Sequence, residues 1–267
     1  MKKWTLFLGI YFCVALLLGG CAMERATSPA PASSVSGGDE VPVGSPRQSV
    51  TCRVVAAGED GTLTLAELDG SGVYTLSDPE LEVRPGQLVD VEYDEVLETY
   101  PLRFSGEVTA AARPDTDGFD DRCALYLRVL NDLWEEDAGL NEGVEQVGVD
   151  LSATSLTKSE QSAVAWAFAA QHGAELAEGT WQELVDGGYI SARPLEGSDA
   201  CFYQWENGCL YSITEQEMEG MYSLTPVTFD AEKWRSGTGA YYYCDCTAVQ
   251  SALGQWSDYT VGAHAIA

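Results

Sequence analysis

Positive charge is scarce in this sequence: 14 lysines and arginines stand against 42 aspartates and glutamates, a net charge of −28 over 267 residues. A surface of that sign repels phosphate backbones and anionic headgroups, so nucleic acid as a partner and peripheral adsorption to a membrane are both disfavoured. There are only two histidines, and no Gly-x-Ser-x-Gly elbow, His-Glu-x-x-His pair, P-loop or Rossmann fingerprint occurs. These absences leave no catalytic motif, no cofactor to expect and no metal among the histidines. The carboxylates do not fill the gap, because with 42 of them any fold sets some pair at the spacing of a glycosidase. What the chain does have is apolar substance: it is 45% hydrophobic, with seven tryptophans and thirteen tyrosines, enough to bury cores despite its acidity.

The N-terminus reads as an address. Two lysines precede a chargeless run from Trp4 to Leu18, too short to span a bilayer comfortably and suited to the apolar core of an export signal. The closing residues Leu18-Gly19-Gly20-Cys21 resemble the bacterial lipobox. That resemblance implies a signal peptide over residues 1–20, cleavage before Cys21, and a diacylglyceryl anchor on its sulfur that holds the protein at the extracytoplasmic face of the cell membrane. Residues 21–48 are rich in Ala, Ser, Pro and Gly and show no apolar stripe, so they read as a flexible tether with an end-to-end distance of roughly 28 Å.

Residues 49–112 alternate apolar and polar positions in five short runs: SVTCRVVAAG, TLTLAEL, VYTLS, QLVDVEYD and FSGEVTAAA. Glu59-Asp60-Gly61 marks a hairpin, and no helical stripe intervenes, which predicts a small all-β barrel of the OB type. The glycine-punctuated first hairpin, RPGQLVDVEYD and TYPLRFSGEVTA resemble the small OB-like domains of Firmicutes extracytoplasmic lipoproteins, the YobA-like proteins among them. Such barrels bind oligonucleotides or sugars, but Arg53, Arg84 and Arg103 face many more carboxylates here, against nucleic acid. In the joint RPDTDGFDDR, Asp115 and Asp117 fall on EF-hand ligand positions. Arg113 and Ala124 occupy the first and last, so a solvated linker is the better reading.

Residues 119–267 are expected to form an α+β domain, an antiparallel β-meander packed on helices. Cys123, Tyr126, Leu127, Leu130, Leu133 and Trp134 make one helical stripe. VEQVGVDLS reads as a strand. Thr157 with Glu160 and Thr180 with Glu183 are capping boxes opening two further helices, the first ending at His172-Gly173, where the imidazole is a C-terminal dipole partner. Beyond Leu195 the period becomes two. CFYQW and CLYSIT flank Asn207-Gly208 as a type I′ hairpin; LTPVTF, AYYYCDCTAV and YTVGAHAI follow as strands, joined by AEKWRSGTG and QSALGQ. FDAEKWRSGTGAYYY with its following cysteine resembles the C-terminal part of uncharacterised clostridial lipoproteins that carry this barrel, a resemblance that implies no activity.

Two constellations remain. Lys233, Trp234 and Arg235 fall in a loop expected to be exposed, where cations beside aromatic faces could hold a carbohydrate or an acidic partner, or where Trp234 plugs the end of the sheet. Cys201, Cys209, Cys244 and Cys246 are the disulfide candidates in an exported chain. Cys201 and Cys209 lie about 17 Å apart along the expected hairpin, and Cys244 and Cys246 share a strand face at roughly 6.6 Å, so neither pair bridges internally. Buried thiols, bonds between the hairpin and Cys244 or Cys246, and a metal cluster stay open. The expectation for function is a non-catalytic binding or accessory lipoprotein, joined to the membrane by its anchor and to an unknown protein or small ligand. A hydrolase with its cleft in the C-terminal domain and an acidic inhibitor or immunity-type protein are the alternatives.

Overall fold

The computed structural model describes residues 47–216 and 226–267; the signal segment, Cys21 and the tether as far as residue 46 lie outside them. Pro46–Ala267 form one compact unit. The predicted alternation produces β1 (Gln48–Ala57), β2 (Thr62–Glu67), β3 (Val73–Ser77), β4 (Leu88–Leu97) and β5 (Leu102–Ala112). They close into a barrel in the order β1-β2-β3-β5-β4. β1 pairs with both β2 and β4, which closes the ring, and β3 meets β5 in parallel. Because successive side chains point to opposite faces, Cys52, Val54, Leu63, Leu65, Tyr74 and Leu76 fill the interior. Thr62, Thr64, Thr75 and Ser77 take the alternate, outward positions. The Asp60-Gly61 turn is as expected: Gly61 has φ +78°, and a Cβ there would come within 2.7 Å of Pro79.

Outward residues of β1 to β3 are not all exposed. Val55, Ala66 and Val73 enter a second core together with α1 (Arg122–Glu135) and α2 (Lys158–Gln171). α1 buries Leu125 and Val129 in addition to the predicted stripe, having apolar neighbours on more than one side. α2 is buried almost all round, which its small alanines permit. Its capping box forms as read: Thr157 Oγ1 accepts from Glu160 N at 3.3 Å, and Thr157 N donates to Glu160 Oε2 at 2.9 Å. The same carboxylate accepts from Arg53 Nε on β1 at 2.9 Å, and Ser159 Oγ donates to Glu67 O on β2 at 2.7 Å. The start of α2 is therefore tied to the barrel.

The second sheet is mixed. It comprises β6 (Gln146–Ala153), β7 (Glu175–Ala177), β10 (Gly208–Glu215), β11 (Val227–Ser236), β12 (Gly239–Ala248) and β13 (Ala263–Ile266), in the order β13-β12-β11-β10-β6-β7. The stretch from β10 to β13 is antiparallel, whereas β10, β6 and β7 run parallel, with α2 as the crossover between β6 and β7. β8 (Ser191–Pro194) and β9 (Cys201–Gln204) pair with each other, and β9 touches β11 at Ser236. α3 (Trp181–Asp186) follows the second capping box.

Three expectations about this region are corrected. Asn207-Gly208 is not a hairpin turn, since β9 pairs with β8 and β11 rather than with β10. Asn207 O instead accepts from Glu145 N and Gln146 N at 2.9 and 3.1 Å, and a Cβ on Gly208 would lie 2.1 Å from the fully buried Trp205 ring. The glycine is there for close approach. Secondly, AEKWRS is strand and not loop: β11 runs through Ser236, and only Gly237 and Thr238 turn the chain into β12. Its alternation was concealed because an inward position is a lysine and an outward one a tryptophan. Thirdly, a bulge sets three steps of β12, from Tyr243 to Cys246, against two of β11, with Asp245 at φ +53°. It turns Cys246 into the core with Tyr243 and leaves Cys244 beside Tyr242, so the two cysteines do not share a face.

Candidate functional site

The residues singled out in the sequence are mostly structural. Lys233 is 0% exposed. Its ammonium donates to the carbonyls of Trp134, Glu136 and Asp137 at 3.1, 2.6 and 3.4 Å, capping the C-terminus of α1, where a cation is favoured. Burial lowers its pKa, while nearby acidic groups oppose the shift. Arg235, two residues on and on the same face, donates to the carbonyls of Leu140, Glu142 and Glu206. Trp234 faces the other way, its ring 4.3 Å from that of Trp181 at the first turn of α3. The expected exposed loop is thus a clamp in which Lys233 and Trp234 are buried and Arg235 is half-buried with its guanidinium on backbone carbonyls.

Cys201, Cys209, Cys244 and Cys246 are all free thiols, as are Cys52 and Cys123. Cys209 lies at the level of Arg235 and Cys246 at that of Phe229, about 20 Å of strand apart. Burial pushes the Cys52 and Cys246 thiols up to about 12 and Cys209 to about 11, so they are inert at neutral pH. In the acidic joint, Asp115 bonds Arg84 at 2.6 Å, Asp120 accepts from Trp256 Nε1 at 2.8 Å, and Asp121 accepts from Trp256 N at 2.7 Å. His172 sits at the end of α2, its ring stacked on Trp134 at 4.1 Å, and burial lowers its pKa.

An open recess forms elsewhere, on the β3–β5 side of the barrel, where outward residues meet Leu76, Phe104 and Val108 of the barrel core. A cleft of about 610 Å³ is lined by Thr62, Thr75, Ser77, Tyr100, Arg103 and Trp166, among others. The register explains the grouping. Thr62 pairs with Ser77, Thr64 with Thr75, and Thr75 with Arg103, so hydroxyls and guanidinium stand in adjacent rows of β2, β3 and β5. The β4–β5 loop supplies Tyr100, and α2 supplies Trp166 as its half-buried aromatic. Their rings meet edge to face, 5.8 Å apart at 88°. Behind this pair a second cleft, of about 550 Å³, reaches Leu176, Glu178 and Tyr189. Burial, and after it hydrogen bonding to Glu178, raises the Tyr100 hydroxyl pKa, while Ser162 opposes it.

Arg103 is the unusual member. Every other lysine and arginine among the described residues has a partner: a carboxylate, a carbonyl, an amide oxygen or an aromatic ring. Arg103 has none among them and is exposed. A cation left unpaired in so acidic a chain is available to an incoming anion. Sequence reasoning counted Arg103 only as one of the barrel's few cations. The outward threonines of TLTL and VYTLS were the legible signal, and Trp166 was hidden among the alanines of a helix.

A smaller recess on the outer face of β10 to β12 holds Glu232, whose pKa is raised by burial, beside Tyr242, Asp230 and Cys244. At about 170 Å³ it is well below the size of ordinary ligand pockets, roughly 300–1,000 Å³. No protein-family model matches the sequence, and comparison with curated proteins finds no match. Among the described residues no helix is long and apolar enough to cross a membrane.

Proposed function

We propose that the chain is an extracytoplasmic lipoprotein, anchored to the cell membrane through Cys21, that binds a small ligand without transforming it. The barrel is read as OB-like, with the meander and its helices as the scaffold, and the binding site is the cleft on β2, β3 and β5. In OB barrels this face and the loop between the fourth and fifth strands are the usual binding surface. The observation that carries the reading is Arg103, the exposed guanidinium without a partner among the described residues, set beside outward hydroxyls and an aromatic corner. Net charge supports a small ligand over a polyanion, because one local cation cannot offset −28 along a chain of phosphates.

The test uses the protein purified from its own host. Its mass is expected to equal residues 21–267 plus a lipid adduct. Its thermal midpoint is expected to rise with at least one of a panel of sugars, sugar acids, amino acids and nucleotides, since a ligand of the native state stabilises it, and Arg103→Gln is expected to abolish the rise. An unlipidated full-length mass contradicts the anchor; a rise equal in Arg103→Gln contradicts the site.

A further inference from the structure

The chemistry of the cleft narrows its ligand, on the footing that the cleft is the binding site. The hydroxyls of Thr75 and Ser77 both donate and accept, as sugar hydroxyls do, and neither makes a side-chain hydrogen bond among the described residues, whereas those of Thr62 and Thr99 are engaged. Thr62 Oγ1 donates to Asp60 at 3.0 Å, and Thr99 Oγ1 to Pro101 O at 2.6 Å. Tyr100 and Trp166 stand at 88° to one another, which makes a corner and not a parallel slot. A flat base would stack against one wall only. A saturated ring with C–H bonds on its faces and edges can contact both. Arg103 lies directly across from Thr75 in the β3–β5 register, which places one cationic fork beside the hydroxyl row.

We infer that the cleft takes a saccharide bearing a single anionic group, carboxylate or phosphate, with the sugar ring in the Tyr100–Trp166 corner and the anion on Arg103. One cation calls for one anion. A neutral sugar leaves the guanidinium unused, and a small anion without a ring leaves the aromatic corner empty.

Three probes share a ring and differ only at its sixth carbon: glucuronic acid, glucose 6-phosphate and glucose. Titrated calorimetrically into the full chain, at least one of the two anions is expected to bind tenfold or more tightly than glucose. Which anion prevails tells carboxylate from phosphate. Arg103→Gln, at an exposed position, is expected to bring the anion's affinity down to that of glucose. Trp166→Phe keeps a half-buried aromatic in place and is expected to weaken all three. Equal affinity for all three probes, unchanged in Arg103→Gln, overturns the anionic ligand while leaving the cleft as the site if Trp166→Phe still weakens binding. Binding of none of the three overturns the saccharide class; the cleft reading itself falls only if the wider panel also fails to stabilise the protein in an Arg103-dependent way.

Discussion

Lys233 and Gly208 show how single residues in this chain serve purposes that their sequence neighbourhoods do not announce. A lysine within Lys-Trp-Arg suggests surface, yet its three carbonyl acceptors lie at the end of a helix roughly a hundred positions earlier. Asn-Gly suggests a turn, yet Gly208 is needed because the Trp205 indole occupies the space a Cβ would take. Both are contacts between distant segments, and no local pattern carries them. Arg103 is the opposite case, since its lack of a partner becomes visible only when every other cation has been paired. Replacing Lys233 by Met keeps the volume and removes three charge-assisted bonds, leaving buried carbonyls unsatisfied. The expected cost is about 3 kcal/mol of unfolding free energy, measured by urea denaturation; a loss under about 0.5 kcal/mol would mean that the carbonyls find other donors.

At the scale of elements, period and capping were legible. The five barrel strands, both capping boxes and the α1 stripe follow from alternation and from Ser/Thr-x-x-Glu spacing, which are local. β7 and β8 were missed, being only three and four residues long, and β8 is exposed throughout. β11 was cut short because Lys233 and Trp234 invert the usual inward-apolar, outward-polar alternation. The joint between barrel and helices rests on Arg53. Its side chain is 11% exposed and bonds Glu160 together with the carbonyls of Gly86, Gly118 and Asp120. Arg53→Met leaves the largely buried Glu160 carboxylate without its counter-charge, with an expected loss of about 3 kcal/mol. Because the pair joins β1 to α2, the loss should appear as one cooperative shift, read by circular dichroism and by tryptophan fluorescence; non-coincident transitions would mean that barrel and sheet unfold separately.

For the whole molecule, charge and burial divide the surface. A chain of net charge −28 gives all but one of its described cations a partner within the chain, some at the surface and three as ties between elements: Arg53 to the start of α2, Lys233 to the end of α1, Arg235 to the connector beyond it. The remaining one stands in a cleft with hydroxyls and an aromatic corner. The cleft was not legible in the sequence, because it is assembled from β2, β3, β5, a loop and a helix that the sequence spreads over a hundred residues. The most direct test of that site is an amide-resolved NMR titration of the full chain in detergent with glucuronic acid and glucose 6-phosphate. Shift changes confined to Thr62, Thr75, Ser77, Tyr100, Arg103 and Trp166 and their neighbours are the predicted result. Saturable changes that leave those residues untouched and fall instead around Glu232 and Tyr242 on the second sheet would contradict it.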